Sequence, residues 1–292
     1  KNGMKLDFNS TSFSHPKSED LTLASPNEEI RSFWVEHTKR CRAIADEMGR
    51  RQGDPAMLNI WVHDGSKDIT VNRMKYRAIL KQSLDEILEQ KYEWMRDSVE
   101  SKVFGIGLES YTVGSNDFYI AYAAQKGIMV TLDTGHFHPT ESIADKMSSL
   151  LLFTPEVMLH VSRPVRWDSD HVTIINDETL DLTKEIVRCD ALDRVFIALD
   201  YFDASINRIS AWTTGFRSWQ KALLAAMCTP NAALKELQDQ GNFTKLMVMQ
   251  EEAKMLPFGA VWAKYCEECG VAGDASWFDE VEKYEAEVLS KR

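Results

Sequence analysis

Ile128-Met129-Val130-Thr131-Leu132-Asp133 is an apolar run that ends on a carboxylate, and Thr134-Gly135-His136 follows it directly. A short run rich in apolar and β-branched residues, bounded by glycine, reads as a buried strand. Just upstream, Ser115 is placed to cap a helix that ends near Gly127. Just downstream, Thr140 is placed to start the next helix. The same strand-then-helix unit recurs in both directions. Towards the C-terminus, residues 157–162 and 194–200 read as strands, followed by helices over 177–189 and 205–228. Towards the N-terminus, residues 99–106, 57–62 and 6–8 read as strands. A helix over 72–91 lies among them. Another is capped at Ser25, has Pro26, Glu28 and Glu29 in its first turn and runs to Met48, with Gly49 and Gly53 past its end.

This alternation predicts an α/β fold built on a parallel sheet. Two architectures compete, the doubly wound sheet and the eight-stranded barrel. No G-x-G-x-x-G follows any of these strands, which argues against a dinucleotide-binding sheet. The expectation is therefore a (β/α)8 TIM-type barrel. A closed barrel needs eight units, and six are read here. The other two are expected ahead of Lys1, because strand-like sequence begins at Leu6 and the first methionine is Met4. Beyond Pro230 the pattern is helical and acidic. The chain is thus divided into a β/α barrel, incomplete at its N-terminus, over 1–229 and a helical extension over 230–292.

The 292 residues are 44% hydrophobic and carry a net charge of −11, so there is ample core and no basic surface for nucleic acid or an anionic membrane. No apolar run approaches the roughly 18 residues that span a bilayer, and the first nine residues do not read as a secretory leader. Cys41, Cys189, Cys228, Cys266 and Cys269 are sparse and odd in number, as expected of reduced thiols in a cytoplasmic protein. Cys266 and Cys269 have C-x-x-C spacing, but there is no second pair and they fall in a helical pattern, so they are read as structural.

Metal-capable residues recur at or near the ends of successive strands: Glu100, Asp133, His160 and Asp200. Residues at the carboxyl ends of adjacent barrel strands converge on one mouth. Several carboxylates gathered there are costly unless a cation neutralises them. A second set lies just beyond the strands: His136, and the pair Asp168 and Asp170, which are spaced to face the same side of an extended segment. His138 and His171 read as hydrogen-bonding residues around these. The donors suffice for two ions, and oxygen with imidazole suits Mn, Mg, Co or Zn alike. Lys102 shares a strand face with Glu100. On these residues alone, a two-metal hydrolase uses the same ligand types, although it gives no reason for Lys102.

Longer motifs narrow the choice. The run from Leu159 to His171 (Leu-His-Val-Ser-Arg-Pro-Val-Arg-Trp-Asp-Ser-Asp-His) resembles the signature of L-rhamnose isomerases. So do the stretches Val99 to Lys102, Gly107 to Asn116, Asp133 to Glu141, Asp200 to Arg208 and Asn59 to Asp68. The resemblance implies a β/α barrel, a homotetramer and a manganese-type catalytic metal, with a second divalent site beside it. It also implies aldose–ketose isomerisation of L-rhamnose to L-rhamnulose; the expected route is a metal-assisted hydride shift on the ring-opened sugar, with an enediol route as the alternative. Under it, His136, Asp168 and Asp170 match the catalytic metal ligands. Glu100, Asp133, His160 and Asp200 match a second, structural site. Asp133 and His160 also anchor the substrate, Lys102 lies near the sugar carbonyl, and Trp61 is an aromatic wall of the pocket. Glu109 lies within a signature motif without a metal role.

Overall fold

The computed structural model describes residues 5–102, 108–202 and 205–292. Its centre is a parallel sheet in the order β1 (Phe8–Ser10), β2 (Ala56–Trp61), β4 (Met95–Glu100), β6 (Met129–Asp133), β7 (Val157–Val161) and β8 (Val195–Leu199). Sequence order and spatial order coincide, as they do in a β/α barrel wall. The helices that return the chain are α1 (Glu28–Gln52), α2 (Arg73–Ile87), α3 (Asn116–Lys126), α4 (Ile143–Leu151), α5 (Asp177–Arg188) and α6 (Arg208–Cys228). Four more follow: α7 (Asn231–Asp239), α8 (Phe243–Ala253), α9 (Phe258–Glu268) and α10 (Phe278–Glu287). Of these, α9 and α10 pack on α6. None of the helices described is long and apolar enough to cross a membrane.

The two faces of the sheet differ, because side chains alternate along a strand. Leu58, Ile60, Val99, Val130, Leu132, Val157 and Leu159 lie on one face, in the main core with Trp34, Leu80, Tyr119, Met147, Leu182 and Trp219 from the helices. The other face is layered. Met57, Met129 and Met158, with Phe196 and Ala198, form an apolar floor. One residue pair further along comes a polar layer, in which the Ser98 and Thr131 hydroxyls lie 2.6 Å apart and Thr131 donates to Asn59 Oδ1 at 2.8 Å. β4 separates the strands of Asn59 and Thr131, so a flat sheet would hold their backbones roughly 9.5 Å apart. A direct bond between these side chains means the sheet curls towards this face. The layer above is the site described below.

Helix boundaries follow the capping rules, not always at the expected residue. Ser115 and Gly127 bound α3 as read, with Gly127 in the left-handed conformation at φ 66°. Asn27, not Ser25, caps α1 by accepting from Glu29 and Ile30 N–H, and the helix runs on to Gly53. Ser25 instead accepts from Asn27 N–H. Ser142, not Thr140, caps α4, because the Thr140 hydroxyl is engaged with His138 Nδ1 at 2.7 Å. β4 begins four residues earlier than expected, at Met95; residues 103–106 of that expected strand lie outside the described residues. A small antiparallel pair, β3 (Gly65–Ser66) with β5 (Tyr111–Thr112), had no recognisable pattern in so short a span.

Gly49 lies inside α1, where a Cβ would stand 1.7 Å from Trp94 O and 2.9 Å from Ala56 N. Alanine in a helix is intrinsically better than glycine by about 1 kcal/mol. Here the obstacle is backbone that leads into β2 and β4, so the clash outweighs propensity. Gly49→Ala is expected to destabilise the chain by about 1–3 kcal/mol, read as a lower urea midpoint with an unchanged m-value.

Candidate metal centre

The register of the strands decides which carboxylates meet. Trp61 pairs with Glu100, Glu100 with Thr131, and Asp133 with His160. These residues therefore sit at the C-terminal edge of the sheet on its curled face, and Asp200 follows β8 there. Glu100, Asp133, His160 and Asp200 each offer a ligand atom within 4.8 Å of the others. Asp133, His136 and Asp168 form a second such group, so Asp133 belongs to both. His160 Nδ1 stands 3.2 Å from Glu100 Oε2 and 3.1 Å from Asp200 Oδ2. His136 Nε2 is 3.2 Å from Asp168 Oδ2 and 4.0 Å from Asp133 Oδ2, while its Nδ1 is 3.6 Å from Glu100 Oε1.

Local structure holds these groups. The Gly135 N–H donates to Asp133 Oδ1 at 2.6 Å. A Cβ on Gly135 would lie 2.5 Å from Asp168 Oδ1 and 3.2 Å from Asp133 Oδ1, so only glycine lets the two carboxylates close over this turn. Asp170 stands close enough to Asp168 for its carboxyl to feel that charge, and outside the second group. Its backbone is left-handed, at φ 45°, an uncommon conformation for a residue other than glycine and one that concentrates at functional sites. Asn59 was not expected. It donates to Glu100 Oε2 from the adjacent strand. The signal was present, since an asparagine interrupts the apolar strand Ala56–Trp61 two residues before Trp61 and shares its face.

The electrostatics show what gathering these groups costs. Burial pushes the Asp133 carboxyl well above the usual carboxylate range; His136 and His160 pull it down, while Glu100 and Asp200 push it further up. Burial disfavours a charged His136, yet Asp133, Asp168 and Glu100 raise it to about 9. His160 is raised well above its ordinary value against the same penalty, by Glu100 and Asp200. Asp168 and Asp200 lie below the usual range despite burial, held there by His136 and His160 respectively. Asp170 is pushed up to about 6 by burial and by the charges of Asp168 and Asp200. Without an ion, the neighbouring carboxyls favour the protonated form of both imidazoles, and metal binding releases such protons.

The donor set fits divalent ions. Glu100 Oε1, His136 Nδ1, His160 Nδ1 and Asp168 Oδ1 are buried, and no hydrogen-bonding group among the described residues satisfies them. Buried polar atoms are normally satisfied. Atoms that lie close together yet misaligned for hydrogen bonding are what ligands aimed at a common centre look like. Oxygen and imidazole without thiolate suit Mn, Mg, Co or Zn. Lys102 Nζ lies 5.9 Å from the centre of the Trp61 ring, and its charge reaches Asp168. Phe13 packs edge-on against Trp61 at 5.7 Å. His138 is exposed and bonded to Thr140, and His171 Nδ1 to Ser169 Oγ at 3.0 Å. Glu109 is exposed.

A curled parallel sheet whose carboxylates and imidazoles converge beyond its C-terminal edge defines an α/β protein with an acid–imidazole centre where β/α enzymes carry their active sites. Solved structures share this fold. A D-tagatose 3-epimerase-like protein superposes over 76% of this chain and 79% of its own, with a TM-score of 0.54 and 16% identity. A 3-keto-D-glucoside 4-epimerase from E. coli covers 75% of this chain and 80% of its own, with a TM-score of 0.52 and 11% identity. The L-rhamnose isomerase family model matches residues 1–292, and the chain belongs to that family. It is 64% identical to L-rhamnose isomerase of Bacteroides thetaiotaomicron over 292 residues, which is all of this chain and 70% of the relative. It is 52% identical to that of Mannheimia succiniciproducens over 293 residues, again 70% of the relative. By family, then, the chain is a sugar isomerase, an intramolecular oxidoreductase.

Proposed function

We propose that the chain interconverts L-rhamnose and L-rhamnulose at two divalent ions, manganese by preference. The observation that carries this is the pair of ligand groups that share Asp133 at the C-terminal edge of the sheet. Glu100, Asp133, His160 and Asp200 would hold the structural ion. His136, Asp168 and Asp170 would hold the catalytic one, with Asp133 reaching both. When bound, the ions act as Lewis acids on the first two oxygens of the opened sugar. Lys102 adds positive charge where negative charge develops on oxygen. Trp61 forms an apolar wall that keeps water from the reacting carbons. Asp133 and His160 anchor sugar hydroxyls.

The bond changes balance within the sugar. The C2–H bond breaks and its electron pair goes with the hydrogen to C1. The C2 hydroxyl becomes the ketone as its proton leaves, and the C1 oxygen gains a proton. Asp168 and Asp170 stand where that proton is passed from one oxygen to the other. This reading takes the six strands as six units of an eight-unit barrel over 1–229, with 230–292 as a helical extension, in a cytoplasmic homotetramer.

The test is ketose formation from L-rhamnose after EDTA treatment and again with manganese restored, run in heavy water. The expected result is turnover that EDTA abolishes and manganese rescues, with no solvent deuterium on C1 of the product. Turnover unaffected by EDTA would sink the metal reading. Deuterium on C1 would replace the hydride transfer with an enediol route, which needs a base beside the C2 hydrogen.

A further inference from the structure

Beside the strand ends that carry Asp133 and His160 lies a small cavity lined by Thr134, Ser162, Thr173, Thr179, Leu182 and Trp219, among others. Three of these residues present a buried polar atom that no hydrogen-bonding group among the described residues satisfies: Ser162 Oγ, Thr173 Oγ1 and Trp219 Nε1. The residues are 5%, 2% and 4% exposed. They come from three places: the end of β7, the segment before α5, and α6. One turn before Trp219 on α6, a Cβ on Gly215 would lie 1.9 Å from the Tyr201 hydroxyl and 3.0 Å from Thr173 Oγ1, so the glycine makes room for both Tyr201 and Thr173 against the helix.

The chemistry of these atoms defines the occupant. An indole N–H can only donate, so the occupant must accept a hydrogen bond. That excludes a bare cation. The two hydroxyls can donate or accept and adapt to what remains. The cavity leaves about 10 Å³ open to the centre of a water-sized sphere, at the lower end of the roughly 10–15 Å³ that a single water needs. Buried waters characteristically make about three hydrogen bonds to polar groups otherwise left unsatisfied.

We propose that one resident water occupies this cavity, accepting from Trp219 Nε1 and bonded to the Ser162 and Thr173 hydroxyls. It gives the strand-end segment a tie to α6. Ser162 and Thr134 are already locked together: Thr134 Oγ1 donates to Ser162 O at 2.8 Å and accepts from Ser162 N–H at 3.0 Å. Thr134 follows Asp133, and Ser162 lies two residues beyond His160. The water thus positions the backbone from which these two side chains project, whatever they bind.

Two measurements test this on the full chain. A crystal structure at better than roughly 1.8 Å should show one peak about 2.7–3.2 Å from all three atoms. No peak there, or the three groups bonded directly to one another, overturns the proposal. Magnetic relaxation dispersion counts long-lived waters in solution. The count should fall by one in Trp219→Phe, which keeps a smaller aromatic ring and removes the N–H donor. An unchanged count overturns the proposal. If Trp219→Phe does not fold, Thr173→Val, equal in shape and lacking the hydroxyl, is read by the same two criteria.

Discussion

Asp133→Asn is expected to lower kcat/KM for L-rhamnose by more than about 100-fold while leaving the fold intact. Replacing a residue that only orients a metal ligand typically costs roughly 10–100-fold in affinity or activity, and Asp133 would be lost as a ligand from both groups at once. The amide keeps the shape of the carboxyl and can still accept from Gly135 N–H, which holds the side chain now. The stability of the ion-free protein should not fall. Burial and the charges of Glu100 and Asp200 already disfavour the ionised carboxylate there, and the neutral amide removes that charge. What should shrink is stabilisation by added manganese. A ligand that binds only the folded state contributes RT ln(1 + [L]/Kd), about 2.7 kcal/mol at a hundred times Kd. Thermal melts of both proteins, with EDTA and with manganese, read this directly. A manganese-induced rise in Tm as large in Asp133→Asn as in the parent would remove Asp133 from the metal sites.

The largest effect on stability is expected from Arg42→Ala. Arg42 is 1% exposed, one of the largest fully buried side chains of the chain. Its guanidinium meets Asp97 through two bonds, Nε to Oδ1 at 2.8 Å and Nη2 to Oδ2 at 2.9 Å. It also donates to Gln90 O at 2.8 Å and to Ile87 O, and lies 5.1 Å from the centre of the Tyr92 ring. One side chain therefore joins α1 to β4 and satisfies carbonyls where the chain leaves α2. Truncation strands the Asp97 carboxylate and both carbonyls, and breaking a buried pair in this way costs about 3–5 kcal/mol. That is about a fifth or more of the roughly 5–15 kcal/mol that holds a domain folded. The cost lies in the stranded partner rather than in the lost attraction. Arg42→Met combined with Asp97→Leu is thus expected to recover much of it, because apolar replacement of both members is often near neutral. Urea unfolding of the single and double variants measures the coupling. If Arg42→Ala alone shifts the midpoint by less than 1 kcal/mol equivalent, the buried pair is not what holds α1 on β4.

Much of the fold was legible because its signals are local. The strand period and the capping pair Ser115 and Gly127 depend on residues a few positions apart. The departures were local competitions between equivalent candidates. Asn27 and Ser25 both suit an N-cap, and which of them accepts from the helix depends on how the preceding segment packs, with Asp64 binding Thr22 and Ala24 N–H. The hairpin of β3 and β5 joins two-residue segments across a separation no periodicity reports.

From the sequence alone one could read that Asp133, His160 and Asp200 close strands of a parallel sheet or nearly so, with His136 three residues past Asp133; Glu100 was read near the start of a strand over 99–106, and the fold instead ends β4 on it. Which of these groups meet is settled by contacts across strands. Register places Asp133 beside His160 and Glu100 beside Thr131. Curling brings side chains from non-adjacent strands within bonding distance, so that Asp133 stands in both ligand groups and Asp170 at their margin. The physical reason is that alternation along one strand specifies a face but not its neighbour. Distances across strands are set by the hydrogen-bond ladder and the packing of the helices behind it. The same packing seats Arg42 on Asp97 and gathers Ser162, Thr173 and Trp219 around one cavity.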